Sequence, residues 1–352
     1  MGKKAPTISD IAKLANVSIA TVSRVLNNTN YPVKKEVREK VLKIAKELNY
    51  KPNIFSKMLK GGMSREIGVI IPSITNPFYA QLISAVEKEC INRDYVPIVC
   101  SSYNSSKLEK KHLDMLLQKQ VAGMLISTIN TSKTFLKSLS SYNMKFVLFD
   151  QNYEDLEYDS VSFDFYKSSY LAVEYLIKCG HKDIAFLTAP IDRKSRKMIY
   201  KGYKQALRDN GLRFNRKRVV ISSIKDMEFQ GEREYENGKK LVKMLLKSET
   251  LPDAIVAIND MTAIGIIKEL MSNKIDVPND ISVIGFDNIS IGEMINPSLT
   301  TMHQPAYKTG TLAAKMLLDR IEGKEIENNK IILQPTLIER NSVKKIHIKL
   351  RR

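Results

Sequence analysis

Cysteine is scarce in this sequence. Cys90, Cys100 and Cys179 are odd in number, widely separated, and match no paired metal-ligand spacing. That arithmetic leaves no disulfide framework to read, and the expectation is buried, reduced thiols in a cytoplasmic protein. Histidine is as sparse: His112, His181, His303 and His347 each stand alone in sequence. His181, in a Gly-His turn before a strand, is expected to be structural. There is no glycine-rich dinucleotide or phosphate loop, no GxSxG nucleophile turn and no HExxH pair. An enzyme is therefore not expected, and no cofactor or metal is called for. No run approaches the ~18 apolar residues that a membrane helix needs. The start reads as no signal peptide, because the basic residues 1–6 lead into a patterned segment instead of an apolar one.

What is present is charge, unevenly placed. The chain has 352 residues, 43% of them hydrophobic and 27% charged, with a formal net charge of +18. Residues 1–62 hold 13 Lys and Arg against 4 Asp and Glu, and residues 343–352 hold five more basic residues and no acid. The remainder is nearly balanced. A small basic head on a balanced body suggests contact with phosphate, although a solvated basic surface gives the same totals.

The head's pattern is more specific. Thr7 is placed to cap a helix whose apolar positions Ile8, Ile11, Ala12, Leu14 and Ala15 follow helical spacing. Asn16-Val17 makes a turn, and Ser18 caps a second helix whose Val22, Val25 and Leu26 face the first. Ile19, Ala20, Thr21, Ser23 and Arg24 are left outward or near its start. Two short helices joined by a tight turn, the second presenting small and polar residues at its N-terminal end, describe a helix-turn-helix over residues 8–27. Helix N-termini and hydroxyls bind phosphate, and an arginine pairs bidentately with a guanine edge. Ile19, Ala20 and Arg24 are expected to choose bases, and Thr7, Ser18, Thr21 and Ser23 to hold the backbone. A third helix over residues 36–48 closes a miniature core with Val37, Val41, Ile44, Ala45 and Leu48, behind a weak cap at Lys34.

Beyond the head, strand-like runs at 66–73, 95–101, 122–128 and 145–150 alternate with amphipathic segments, and a second set follows at 184–188, 219–222, 254–259 and 281–287. Such alternation predicts parallel sheets covered by helices, in two doubly wound lobes. Ligands of such folds bind beyond the carboxyl ends of strands. Asn76 and Phe78 follow the first run, Asn259 ends the seventh and Asp287 ends the eighth. Carboxylates and carboxamides suit sugar hydroxyls, and an aromatic face suits a ring's apolar side. From the residues alone, Asp287 equally reads as a helix cap and Phe78 as core.

The stretch TISDIAKLANVSIATVSRVLN, with EVREKVLKIAKELNYKPN after it, resembles the head of the lactose-repressor (LacI/GalR) family of bacterial transcription regulators. The resemblance continues in the family's order through GVIIPSITNPFYAQLISAVE, YLIKCGHKDIAFL, GYKQAL, AINDMTAIGIIKEL, VPNDISVIGFDN and PSLTTMHQP. It implies an all-α helix-turn-helix head with a hinge helix, then an α/β core like the periplasmic sugar-binding proteins. The expected boundaries are residues 1–62 for the head, hinge at 53–60, 63–342 for the ligand-binding and dimerisation core, and 343–352 for a basic tail. The hinge is implied to fold over the operator's minor groove, with Asn53 a DNA contact and Leu59 wedged between base pairs. The first core helix (79–90) is implied as a dimer contact. Asn76, Phe78, Asn259, Asp287 and Gln304 match effector positions.

One departure stands out. Ile199 occupies the position where many relatives carry an effector-clamping arginine, and Arg196 lies one helical turn back, with Arg193 further still. A neutral ligand without the clamp, an anionic ligand on a relocated arginine, and no small ligand at all are each open. The implied function is a sequence-specific, homodimeric repressor whose affinity for double-stranded operator DNA answers to a sugar-like effector between the lobes. A catabolite-control-like regulator answering to a phosphorylated phosphocarrier protein is the alternative, and a sugar-binding protein without DNA output a third.

Overall fold

A computed structural model of the chain describes residues 6–26, 31–50, 64–130, 132, 135, 138–139, 142, 144–150, 158–222, 233–327 and 329–346. Asn27, the expected hinge 53–60 with Asn53 and Leu59, and residues 347–352 lie outside the described residues. The chain divides into a unit of residues 1–64 and one of residues 65–352.

Among its described residues the first unit has three helices. In α1 (Ile8–Ala15), Thr7 and Asp10 form a reciprocal capping box, satisfying donors at both ends of the first turn. Asn16 ends the helix in the left-handed region at φ 56, a conformation its short polar side chain tolerates. In α2 (Ile19–Leu26), Ser18 Oγ accepts from Thr21 N at 3.1 Å. No side chain caps α3 (Lys35–Glu47), whose N-cap is Lys34, a deficit worth about 1 kcal/mol. Ile11, Ala12, Ala15, Val22, Val25, Val41 and Ala45 are its buried core. Leu14, although in the helical apolar pattern, is 59% exposed, because the neighbouring helices cover only one face of α1.

The second unit holds two six-stranded sheets. Sheet one runs β11-β5-β4-β3-β1-β2, all parallel, from β1 (Glu66–Ile71), β2 (Val96–Ser101), β3 (Gly123–Ile126), β4 (Lys145–Asp150), β5 (Asp159–Phe163) and β11 (Lys330–Leu333). Sheet two runs β12-β10-β9-β8-β6-β7, from β6 (Ile184–Thr188), β7 (Val219–Ile221), β8 (Ala254–Ala257), β9 (Ser282–Asp287), β10 (Thr300–His303) and β12 (Thr336–Ile338). Only β12 is antiparallel to its neighbour, β10. The central strands are buried along nearly their whole length, as parallel strands covered on both faces must be.

The helices of this unit are α4 (Pro77–Asn92), α5 (Ser106–Gln118), α6 (Phe165–Lys178), α7 (Lys194–Asp209), α8 (Arg233–Leu245), α9 (Asp260–Ser272), the short α10 (Ile291–Met294) and α11 (Ala306–Ile321). The chain leaves sheet one after β5, builds β6 to β10, returns through α11 to β11, and crosses again to β12. Two helices therefore change sides: α6 packs on α7 and sheet two, and α11 on α4 and sheet one. Gly202 makes the first packing possible, since a Cβ there would lie 2.3 Å from Tyr166 O across the helix pair.

The eight expected runs coincide with β1–β4 and β6–β9. The pattern did not show β5, β10, β11 and β12, which are three to five residues long and carry Ser, Thr, Asp or Lys among their apolar positions. The first residues of the expected basic tail, 343–346, pack on the second unit. Val343 is buried, His181 Nε2 lies 3.1 Å from Lys344 O, and Ile346 N donates to Cys179 O at 2.7 Å. Residues 343–346 are thus tied down beside sheet two by backbone pairing, which outweighs their charge.

Candidate functional site

The head presents an outward face. Thr7, Ser18, Ile19, Ala20 and Arg24 are exposed, while Thr21 and Ser23 are half-buried. Ile19 is half exposed although apolar, a cost that water contact imposes unless a partner covers it. The Arg24 guanidinium lies 3.9 Å from the centroid of the Tyr31 ring, a cation–π contact that orients it before any partner arrives. Tyr31 was not foreseen in this role, since it lies outside the two helices of the motif. The hydroxyls of Ser18 and Thr21 lie 2.8 Å apart at the helix start.

In the second unit, strand ends from both sheets open into one cleft of about 800 Å³, counting its mouth. All six expected effector residues line it: Asn76, Phe78, Arg196, Asn259, Asp287 and Gln304. Sheet one contributes Asn76 and Phe78 beyond β1 and Asp150 at the end of β4. Sheet two contributes Asn259 beyond β8, Asp287 at the end of β9 and Gln304 beyond β10. Convergence at the carboxyl ends follows from parallel topology, because every strand points its last residue to the same edge.

The two asparagines have a double task. Asn76 Oδ1 accepts from Phe78 N at 2.9 Å, capping α4, and Asn259 Oδ1 accepts from Thr262 N at 2.9 Å, capping α9. With the oxygens committed, their amide donors remain for the cleft, whose lining includes Glu234 on the first turn of α8. Asp287 caps nothing: it ends β9 at φ 120, outside the usual range for a side-chained residue. Phe78 is both cleft wall and core, 4% exposed and edge-on to Phe163 at 5.9 Å.

Charge is concentrated here. Burial and the neighbouring Asp260, Glu234 and Asp150 carboxylates push the Asp287 carboxyl well above the usual range. Burial raises Asp260 to about 7, against bonds from Thr301 Oγ1 at 2.6 Å and Ile289 N at 3.0 Å. Burial and the adjacent Arg193 charge lower Arg196 to about 9. Its Nη1 donates to Pro190 O at 2.9 Å and Asp192 Oδ1 at 3.2 Å. Asp150 accepts from Tyr79 Oη at 2.9 Å and Ser127 Oγ at 3.0 Å. Ile199 lines the wall as a buried apolar residue.

Tyr79, Asp150 and Glu234 are the residues that sequence reading passed over. Asp150 ends a strand and was within reach of the strand-end rule. Tyr79 was read only as the start of the helix implied as a dimer contact. Glu234 had no signal, because nothing local distinguishes it from the other acids of an amphipathic helix.

Comparison with known proteins places these features. Residues 7–53 match the family model for bacterial regulatory proteins, lacI family, and residues 173–343 that for a periplasmic binding protein-like domain. The chain is 34% identical over 339 residues to the HTH-type transcriptional repressor PurR of Pasteurella multocida (strain Pm70), covering 96% of this chain and 98% of the relative. It superposes with a TM-score of 0.82 on the lac repressor bound to ONPG in its repressed state, at 25% identity, covering 97% of this chain and all of the other. A LacI family transcriptional regulator from Enterococcus faecium with bound ribose gives a TM-score of 0.69 at 28% identity, covering 80% of this chain and 100% of that one.

Proposed function

The chain belongs to the LacI family of bacterial regulatory proteins and is a DNA-binding transcriptional regulator, and from that premise we propose a repressor governed by a small, sugar-like effector. Arg24, Ile19 and Ala20 read base edges, and Thr7, Ser18, Thr21 and Ser23 hold phosphates. Asn53 and Leu59 contact the operator from the hinge. The working unit is a cytoplasmic homodimer with domains at residues 1–62 and 63–342, because two half-sites require two heads.

The observation that carries the effector reading is the cleft itself: six residues picked from separate stretches of sequence converge on one cavity lined by amides, carboxylates and aromatic rings. Asn76, Asn259, Asp287 and Gln304 bond hydroxyls, Phe78 faces a ring's apolar side, and Arg196 closes the far wall. Burial and the nearby carboxylates hold Asp287 toward its protonated form, in which its carboxyl donates to a ligand oxygen.

The test is a thermal-shift screen against sugars, sugar phosphates, uronic acids and purines, repeated on Asp287→Ala. At 100 times its dissociation constant a ligand adds about 2.7 kcal/mol, a shift of a few degrees. The shift should disappear in Asp287→Ala while operator affinity stays. An undiminished shift in that variant would put the ligand elsewhere, and an empty screen would turn the assignment toward a protein co-regulator.

A further inference from the structure

Between residues 193 and 218 stand eleven Lys and Arg against one acid, Asp209, while the rest of residues 63–342 holds 27 basic residues against 33 acidic ones. The near balance of the core is an average over one cationic segment and an acidic remainder. That segment is α7 and the stretch after it, ending in the short 3-10 turn Arg216–Arg218. Lys194, Lys197, Lys201, Lys204 and Arg208 recur at steps of three and four, so they form one stripe about 21 Å long on α7. The opposite face buries Ile199, Tyr203, Ala206 and Leu207. Lys204 Nζ lies 5.2 Å from the centroid of the Tyr200 ring and 5.6 Å from that of Phe214, and Arg216 Nη1 donates to Tyr200 Oη at 3.1 Å. These contacts bring the cations after the helix alongside the stripe. Lys204, Arg208, Arg213 and Phe214 line a groove there of about 730 Å³, counting its mouth.

Most of this charge has no acid to meet. Arg193 donates to Asn104, Arg196 to Asp192 and Arg218 to Asp183. Among the described residues, Lys197, Lys201, Lys204 and Arg208 on the stripe and Arg213, Arg216 and Lys217 beyond it join no salt bridge. Asp209 accepts instead from Gln205 Nε2 at 2.7 Å. A solvated helix face gains from opposite charges four residues apart, whereas Lys197–Lys201 and Lys204–Arg208 repel at that spacing. A polyanion relieves the repulsion. We propose that the α7 face is a second, sequence-independent surface for duplex DNA, carried by the core and not by the helix-turn-helix. Two observations favour phosphate over an acidic protein. No large apolar side chain between residues 193 and 218 is exposed, so the face lacks the anchors on which protein interfaces depend. The stripe of about 21 Å also matches about six base pairs of duplex, and cations along it meet successive phosphates without reading bases.

The experiment follows the anisotropy of a labelled random-sequence duplex of about 60 base pairs as full-length protein is added, across a salt series. Two triple variants with the same change in charge are compared. One carries Lys197→Gln, Lys201→Gln and Arg208→Gln on α7, and the other Lys107→Gln, Lys110→Gln and Lys111→Gln on α5; all six side chains are exposed. The α7 triple should bind roughly tenfold or more weakly at low salt, with a salt slope reduced by about 3, as three lost phosphate contacts require. The α5 triple should change by less than about twofold, because screened charges act only at short range. A third variant, Lys197→Arg with Lys201→Arg and Arg208→Lys, keeps the charge and should bind as wild type, which separates charge from any disturbance of the fold. Unchanged duplex binding in the α7 triple overturns the proposal. So do equal losses in the two Gln triples, which mark net charge without a site, and weak binding by the charge-keeping variant. Polyglutamate is the last probe: if the α7 triple loses it while duplex binding persists, the face belongs to an acidic protein and the DNA assignment falls.

Discussion

In the proposed function each half turns on one residue, Arg24 for the operator and Asp287 for the effector. Arg24 is exposed yet held against Tyr31, so little conformational freedom is lost when it meets a base. Arg24→Ala should weaken operator binding by about 1–3 kcal/mol and relax preference at a single base pair, in gel-shift competition with singly substituted operators. Undiminished affinity would remove this helix from the reading role. Ile19 and Arg24 stood out by their position on the motif; Tyr31 did not, because its contact with Arg24 depends on how the chain turns after α2.

Among the elements, the helix pair α6–α7 matters most to the cleft, because α7 begins with Arg193 and Arg196 while α6 is a crossover between sheets. Its packing depends on Gly202, where any side chain meets the α6 backbone. Backbone cannot yield as a flexible side chain does, so the helices would have to separate. Gly202→Ala should lower stability by about 1–3 kcal/mol in urea titration, with the effector shift reduced as α7 moves. A variant as stable as wild type would mean the pair has slack that the static contact hides. The strand pattern was legible where buried strands are continuously apolar, as in β1, β3 and β8, and not in β5 and β10, which are buried but carry Ser and Thr. It also failed for β11 and β12, whose pairing is set by a chain that has crossed between lobes twice before β11 and a third time before β12.

For the whole molecule, the proposed regulation is a coupling between two sites on one chain, and coupling is reciprocal. If effector at saturation changes operator affinity by a factor of about 10², operator must change effector affinity by that same factor, which corresponds to roughly 2.7 kcal/mol. Titrating effector into the protein with and without operator duplex measures this directly. Equal effector affinity in both would show that the cleft does not govern the DNA-binding state.

By itself the sequence determined the two-part plan, the helix-turn-helix face and the main strands. Each of these is written in local terms: caps at Thr7 and Ser18, a left-handed turn at Asn16, apolar periodicity, and strands of continuous hydrophobic residues. It also named Asn76, Phe78, Asn259 and Asp287, since strand ends in a parallel fold must gather at one edge, while Gln304 and Arg196 came from the resemblance to the family. Only the tertiary structure decided how the charges there pair. Arg193 and Arg196 follow β6, Glu234 opens α8 and Asp150 ends β4; no spacing rule joins them. Their meeting in one cleft follows from how the two sheets face each other, which is a property of the folded chain and of no segment within it.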